Sequence, residues 1–238
     1  MISFWLKVSR PGLWFATLWL YLLPTSGLEN IFNSANFWLG LFYATFPINF
    51  LIYGWNDIFD YEVDQVNPRK DSFWFGAKGT KEQLSNLWKP ILIVQLLLVP
   101  AFIWIIGLRM LVLYTGLLFV NFIYNHPKFG LSTRPPFEIL CQVGYLLIVP
   151  FSVWLNEVDS LPWQTYFYLL LFAFQSHLIG EVMDIEPDRK SGRKTTATTI
   201  GMKYTKLLII AIVATEVGLL FITFEEYIFG GMLVLALL

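Results

Sequence analysis

Apolar runs of roughly 15 to 20 residues recur along the whole of this 238-residue chain. Lipid offers backbone N–H and C=O groups no partner, so a segment of that kind must satisfy them internally, as an α-helix does. Charged residues make up only 14 % of the chain and hydrophobic ones 56 %, whereas a soluble domain is about a quarter charged. The mean hydropathy is +0.60. The 22 Phe, 11 Tyr and 10 Trp suit lipid-facing surfaces and interfacial belts. The predicted fold is all-α: a polytopic transmembrane helical bundle in a single domain spanning residues 1–238.

Apolar segments are read at about 12–28, 36–55, 90–107, 110–124, 136–155, 163–182, 205–224 and 227–238, with ends good to a few residues. The last is shorter than the roughly 20 residues a crossing needs. The expectation is therefore seven spans and part of an eighth, in a chain incomplete at its C-terminus. Lys7 and Arg10 precede the first apolar run in the manner of a signal peptide, but no small-residue cleavage site follows, so this span is expected to be retained. Cys141 has no partner for a disulfide and reads as a small core residue.

With the N-terminus in the cytoplasm, every Lys and Arg except Arg109 falls on the cytoplasmic side of these segments. Glu29, Glu157, Asp159, Glu225 and Glu226 fall on the other. The charge asymmetry places two polar loops, at about 56–89 and 183–204, in the cytoplasm. With a formal net charge of −1, no nucleic-acid partner is expected.

Each loop begins with an acidic cluster. The first reads Asn56-Asp57-x-x-Asp60-x-x-x-Asp64 and the second Glu181-x-x-Asp184-x-x-x-Asp188. Acids at i, i+3 and i+7 share one helix face, and such a face at a membrane boundary is costly unless a cation binds it. Pro187 restricts the residue before it, so the second helix is expected to kink or end there. Carboxylates and an amide oxygen are hard ligands suited to Mg²⁺, and two His with one Cys make no zinc site. Magnesium keeps waters and substrate phosphates in its shell, so a polyanionic ligand is expected with it. Arg69 and Lys70 follow the first cluster and Arg193 and Lys194 the second, supplying further positive charge for a diphosphate.

Between the clusters lies Tyr124-Asn125-His126-Pro127-Lys128, followed by Arg134-Pro135-Pro136-Phe137-Glu138. Tyr124 and Lys128 converge on one ligand if the turn is helical, and Arg134 is a further basic candidate. Asn121, Gln175 and His177 are polar groups near the cytoplasmic ends of their spans. Cavity lining and helix–helix hydrogen bonding are both open for them.

These three motifs, in order and spacing, resemble the signature motifs of the UbiA-type intramembrane prenyltransferases. The Asn67-Pro68-Arg69-Lys70 and Gly192-Arg193-Lys194-Thr195 stretches resemble the continuations of the two aspartate motifs. The resemblance implies a bundle, usually of nine helices, around a cavity open to lipid, with the aspartate motifs meeting at its cytoplasmic mouth. It implies that Asn56, Asp60, Asp64, Asp184 and Asp188 hold Mg²⁺ and, through it, an isoprenyl diphosphate, with Asp57 in support. Arg69, Lys128 and Lys194 would contact the diphosphate, and a lipophilic acceptor would enter from the bilayer. The segment from Tyr124 to Glu138 is similar to the lycopene elongase and chlorophyll synthase branch, although Gly130 and Ser132 stand where that branch carries basic residues. Carotenoids, quinone precursors and tetrapyrroles all remain as acceptors.

Two rivals belong to other classes. A CDP-alcohol phosphotransferase also uses membrane-surface aspartates, but its Asp-Gly-x-x-Ala-Arg motif is missing. A cation-coupled transporter places its carboxylates nearer the midplane.

Overall fold

The structure, a computed structural model, describes residues 2–237. In chain order its helices are α1 (Ile2–Val8), α2 (Trp14–Leu22), α3 (Ala35–Tyr43), α4 (Phe46–Phe59), α5 (Tyr61–Val66), α6 (Lys81–Ser85), α7 (Trp88–Ile106), α8 (Leu108–Asn125), α9 (Phe137–Leu140), α10 (Ile148–Asn156), α11 (Trp163–Ser191), α12 (Thr196–Ile222) and α13 (Tyr227–Leu237). The chain is all-helical, as the apolar runs require. Among the described residues, six helical stretches are long and apolar enough to cross a membrane: Ala35–Phe59, Lys81–Ile106, Leu108–Asn125, Phe137–Asn156, Trp163–Ser191 and Thr196–Ile222. The segment expected at 12–28 is helical from Pro11 to Thr25, with 3₁₀ turns at Pro11–Leu13 and Leu23–Thr25 on either side of the nine-residue α2. The last apolar segment forms the 11-residue α13, and its final residue, Leu238, lies outside the described residues.

Two compact units make up the chain. Unit 1 comprises Met1–Gly130 and Leu147–Ser160. In it α4 packs on α1, α3, α7 and α8, while α10 packs on α2 and α3. The face α4 buries includes Ile48, Phe50, Leu51 and Gly54 and ends on Asp57, so the core stripe runs into the first acidic cluster. Unit 2 comprises Leu131–Leu146 and Leu161–Leu238; α11 packs along α12, α12 on α13, and α9 on α11.

Helix ends fix where the motif residues fall. The α4 helix is interrupted at Asp60 (φ −92°, ψ 17°), so the first cluster spans two helices rather than one. The helical ladder continues across the break, because Asp60 N–H donates to Asn56 O at 3.0 Å and Asp64 N–H to Asp60 O at 2.9 Å. The α8 helix stops at Asn125, since the residue before Pro127 is driven to extended backbone (His126 ψ 128°). Lys128 is therefore off the helix that carries Tyr124, contrary to the helical-turn expectation. Pro187 does not end α11, which continues to Ser191 and closes on Gly192 in the left-handed region (φ 74°). A proline so near a helix end forfeits only one ladder bond, and the glycine cap secures the turn beyond it.

A polar knot holds the membrane helices of unit 1 together. Tyr21 Oη donates to Phe37 O at 2.9 Å, Ser152 Oγ donates to Tyr21 O at 2.6 Å, and Asn156 Nδ2 donates to Tyr21 Oη at 3.2 Å. Gly40 lets α3 approach closely enough, since a Cβ there would meet the Tyr21 ring and Leu155. Gly40→Val is expected to cost about 1–3 kcal/mol through overpacking, read as a lowered thermal unfolding midpoint in detergent. Gly218→Ala, where nothing stands within 4 Å, is the control expected to be neutral or mildly stabilising.

Candidate active site

In unit 1 the first cluster is organised around a carboxylate that is wholly buried. Asp57 is 0 % exposed, and its Oδ1 accepts from Arg10 Nη2 and from Lys70 Nζ, each at 2.7 Å. Lys70 Nζ also lies 2.8 Å from Asp64 Oδ2, so one ammonium bridges two carboxylates. Arg10 further donates to Asn56 Oδ1 at 3.3 Å and its guanidinium stacks 4.6 Å over the Tyr53 ring. Burial works against the Arg10 charge, but Asp57 and Asp64 outweigh it and raise the guanidinium above its usual range. Burial pushes the Asp64 carboxyl up to about 6, with Lys70 pulling the other way. Asn56 Nδ2 donates to Asp60 Oδ2 at 2.9 Å and to Asn125 Oδ1 at 3.0 Å, so α8 is tied to the same cluster.

The sequence-based candidates therefore divide. Asp57, expected as a metal ligand, is committed to Arg10 and Lys70. Lys70, expected at the diphosphate, is 7 % exposed and engaged by Asp57 and Asp64. Asp60, Asn56 and Arg69 are partly exposed beside them, and Asn67 Oδ1 fixes the Arg69 backbone by accepting its N–H at 2.9 Å. Asn121 is buried, and its side chain donates to Leu117 O within its own helix at 2.9 Å. His126 accepts the Lys128 N–H at Nδ1 (3.2 Å), which shapes the turn after α8.

Unit 2 carries the second cluster at the C-terminal end of α11. Asp184 is partly exposed and Asp188 is 5 % exposed. Arg193 N–H donates to Asp188 O at 2.9 Å, which folds the basic pair Arg193–Lys194 back over the helix end. Glu181, expected as a metal ligand, is engaged elsewhere. Its Oε2 accepts the Ala197 N–H at 2.9 Å, and its Oε1 lies 3.1 Å from His177 Nε2. Glu138 Oε1 accepts both the N–H and the hydroxyl of Thr196 at 2.6 Å. Two buried glutamates thus satisfy the first N–H groups of α12, where the helix dipole favours negative charge. Gln175 is buried on α11, while Tyr124 and Arg134 lie partly exposed and exposed in units 1 and 2 respectively.

Sequence reading missed the role of Arg10, which it counted among the positive-inside charges, because 47 residues separate it from Asp57 and no local spacing links them. It also missed the Glu138 contact, whose partner is 58 residues away. Among the described residues, no three His, Cys, Asp or Glu side chains gather into a ready-made metal cage. The donors that are present are carboxylates and an amide, and an ammonium already sits against Asp64 where a cation is accommodated. That donor set fits Mg²⁺, which takes few protein ligands.

The profile of the UbiA prenyltransferase family matches residues 13–238. The chain belongs to the UbiA prenyltransferase family. Its relatives include a lycopene elongase/hydratase of Corynebacterium glutamicum, 27 % identical over 202 residues that cover 82 % of this chain and 68 % of the relative. A lycopene elongase/hydratase of Haloarcula japonica is 26 % identical over 210 residues, covering 84 % and 68 %. A UbiA homologue from Archaeoglobus fulgidus solved with DMAPP and Mg²⁺ has the same fold, with a TM-score of 0.73 at 19 % identity over 98 % of this chain and 84 % of that one. The same homologue with GPP and Mg²⁺ gives a TM-score of 0.69 at 17 % identity, covering 98 % and 84 %. This UbiA-family protein is an integral membrane prenyltransferase.

Within it, Asp57→Ala would strand two cations, Arg10 and Lys70, without their shared carboxylate. Removing one partner of a buried ion pair costs about 3–5 kcal/mol. The variant is expected to lose that stability in thermal or denaturant unfolding, while Asp60→Ala, at a partly exposed position, is expected to lose less than half as much.

Proposed function

We propose that this UbiA prenyltransferase transfers an isoprenyl group from a short allylic diphosphate to an acyclic carotenoid of the lycopene type, with Mg²⁺. The observation that carries the donor half is the first cluster, where buried carboxylates and cations are gathered at a helix end of a UbiA chain. The relatives named for lycopene support the acceptor. The homologue solved with DMAPP supports the short donor.

Asp60 and Asp64 of the first motif, with Asn56, and Asp184 and Asp188 of the second are the residues proposed to hold the metal. Bound Mg²⁺ supplies charge neutralisation for the departing diphosphate. Arg69, Lys128, Arg193 and Lys194 bind the diphosphate oxygens and stabilise the charge that builds as the C1–O bond breaks. Lys70 and Arg10 act one step back, holding Asp57 and Asp64 in place. The acceptor double bond attacks C1, forming the new C–C bond, and the resulting cation discharges by loss of a proton. Apolar surroundings keep water from the allylic cation before that attack. The positive-inside distribution supports an N-terminus and both motifs on the cytoplasmic side.

Asp60→Ala and Asp184→Ala are each expected to lower turnover by more than about 100-fold with expression retained. Full Mg²⁺-dependent turnover in either variant would remove the metal assignment. For the substrates, membranes containing the protein are incubated with labelled isoprenyl diphosphates of several lengths and with lycopene, and the products are weighed by mass spectrometry. One added five-carbon unit on lycopene is expected, and the same mass shows whether water has added as well. A labelled product on a quinone precursor or tetrapyrrole alone would replace the carotenoid. Uptake of cation into proteoliposomes without diphosphate release would favour a transporter instead.

A further inference from the structure

Three consecutive aromatic residues in the loop between α5 and α6 leave about half of their side-chain surface uncovered. Phe73, Trp74 and Phe75 are 45 %, 58 % and 44 % exposed. Their backbone, by contrast, is held at Trp74 and Phe75 and at the two flanking residues. Ser72 and Gly76 exchange backbone hydrogen bonds at 3.0 and 3.3 Å, Ser72 Oγ accepts the Phe75 N–H at 2.9 Å, and Gly12 N–H donates to Trp74 O at 3.0 Å. A Cβ on Gly12 would stand 2.9 Å from that same oxygen, so the loop is seated on the chain just before α2. At its other foot, Gly76 (φ 124°) packs against the Lys70 side chain that bridges Asp57 and Asp64. A flexible polar loop would expose its backbone and vary its side chains. This one ties its backbone down at Gly12 and across Ser72 and Gly76 while leaving its aromatic side chains about half uncovered.

The surroundings identify what covers them. The loop joins the ends of two membrane-crossing stretches, Ala35–Phe59 and Lys81–Ile106, and so lies at the bilayer boundary. On α7 the outward face runs through Leu97, Leu96, Ile93 and Leu92 to Trp88, all exposed, and Lys89 lies 5.7 Å from the Trp88 ring. That apolar face ends in an aromatic–lysine pair at the same boundary as the loop. Lys78, Lys81 and Lys89 follow the aromatics within the next sixteen residues of the same boundary segment, where the acids between residues 70 and 90 are Asp71 and Glu82. Aromatic rings among lysines match the headgroup level of a bilayer and its anionic lipids.

We propose that Phe73, Trp74 and Phe75 form a preformed wedge that inserts into the headgroup and upper acyl region of an anionic leaflet, beside the first aspartate motif. Because its feet rest on Gly12 and Lys70, the wedge fixes the depth of that motif relative to the lipid from which a lipophilic substrate arrives. The surface stands independently of the metal and acceptor assignments.

Cys141→Ser yields a cysteine-free chain, in which Trp74→Cys is spin-labelled and reconstituted into nanodiscs of phosphatidylcholine and phosphatidylglycerol at about three to one. A label at Glu62→Cys, exposed on α5 and outside the membrane-crossing stretches, serves as the aqueous control and one at Leu97→Cys as the lipid control. The expected result is an oxygen-to-Ni(II)EDDA accessibility ratio at position 74 at least threefold above the aqueous control and below the lipid one. A ratio equal to the aqueous control overturns the proposal, as does protection from both reagents, which would mean that protein covers the loop. Phe73→Cys provides a second labelling site if Trp74→Cys fails to fold. Omitting phosphatidylglycerol is expected to lower the ratio about twofold, and an unchanged ratio overturns the role given to the lysines.

Discussion

A carboxylate with no access to water must be met by positive charge or lose its own, and Asp57 is such a carboxylate. Its two cations come from different directions along the chain: Arg10 from before α2 and Lys70 from after α5. Once both point at one oxygen, the path of the chain around α4 is constrained. The N-terminal segment must lie against α4, and the loop after α5 must turn back to it. Lys70 then passes the constraint on to Asp64, and Asn56, through Asn125, extends it to α8. One buried acid in this way draws four separated segments of unit 1 onto the first motif.

Unit 2 meets the same demand by a different route. Two of its buried acids face helix N–H groups instead of cations, Glu138 at Thr196 and Glu181 at Ala197. The start of α12 offers donors without partners of their own, and glutamates from α9 and α11 supply the acceptors. Thr195 closes the arrangement with a capping box to Thr198. The two motifs thus share a spacing of acids but rest on different physical supports.

How much of this was legible in the residues alone depends on the range of each interaction. Apolar length revealed the helices of the bundle because lipid forces each segment to satisfy itself, a local rule. At residues 12–28 it found the helical segment but not its 3₁₀ turns at Pro11–Leu13 and Leu23–Thr25, which the prolines set. The acidic spacing assumed one unbroken helix through Asp60, where the chain in fact passes from α4 to α5, and Pro187 was read as a kink or an end, whereas α11 runs on to Ser191. Arg10 with Asp57 and Glu138 with Thr196 were invisible because their partners are 47 and 58 residues apart. Charge counting had already given Arg10 an adequate but generic reason to exist. Glu181 shows the complementary limit, since its place in a periodic pattern suggested a ligand while the hydrogen bond from Ala197, 16 residues on, has no local signal.

The glutamate clasp at the start of α12 also sets how the second motif can move. Glu181 is one turn from Asp184 on α11, and its grip on Ala197 ties that turn to the far side of the Gly192 bend. Arg193 and Lys194 lie inside the closed loop that results. They cannot swing away from the aspartates as an independent flap without first breaking a buried hydrogen bond. Acid and base at this end of unit 2 therefore travel as one body, and any opening of the second motif has to carry the end of α11 and the start of α12 together.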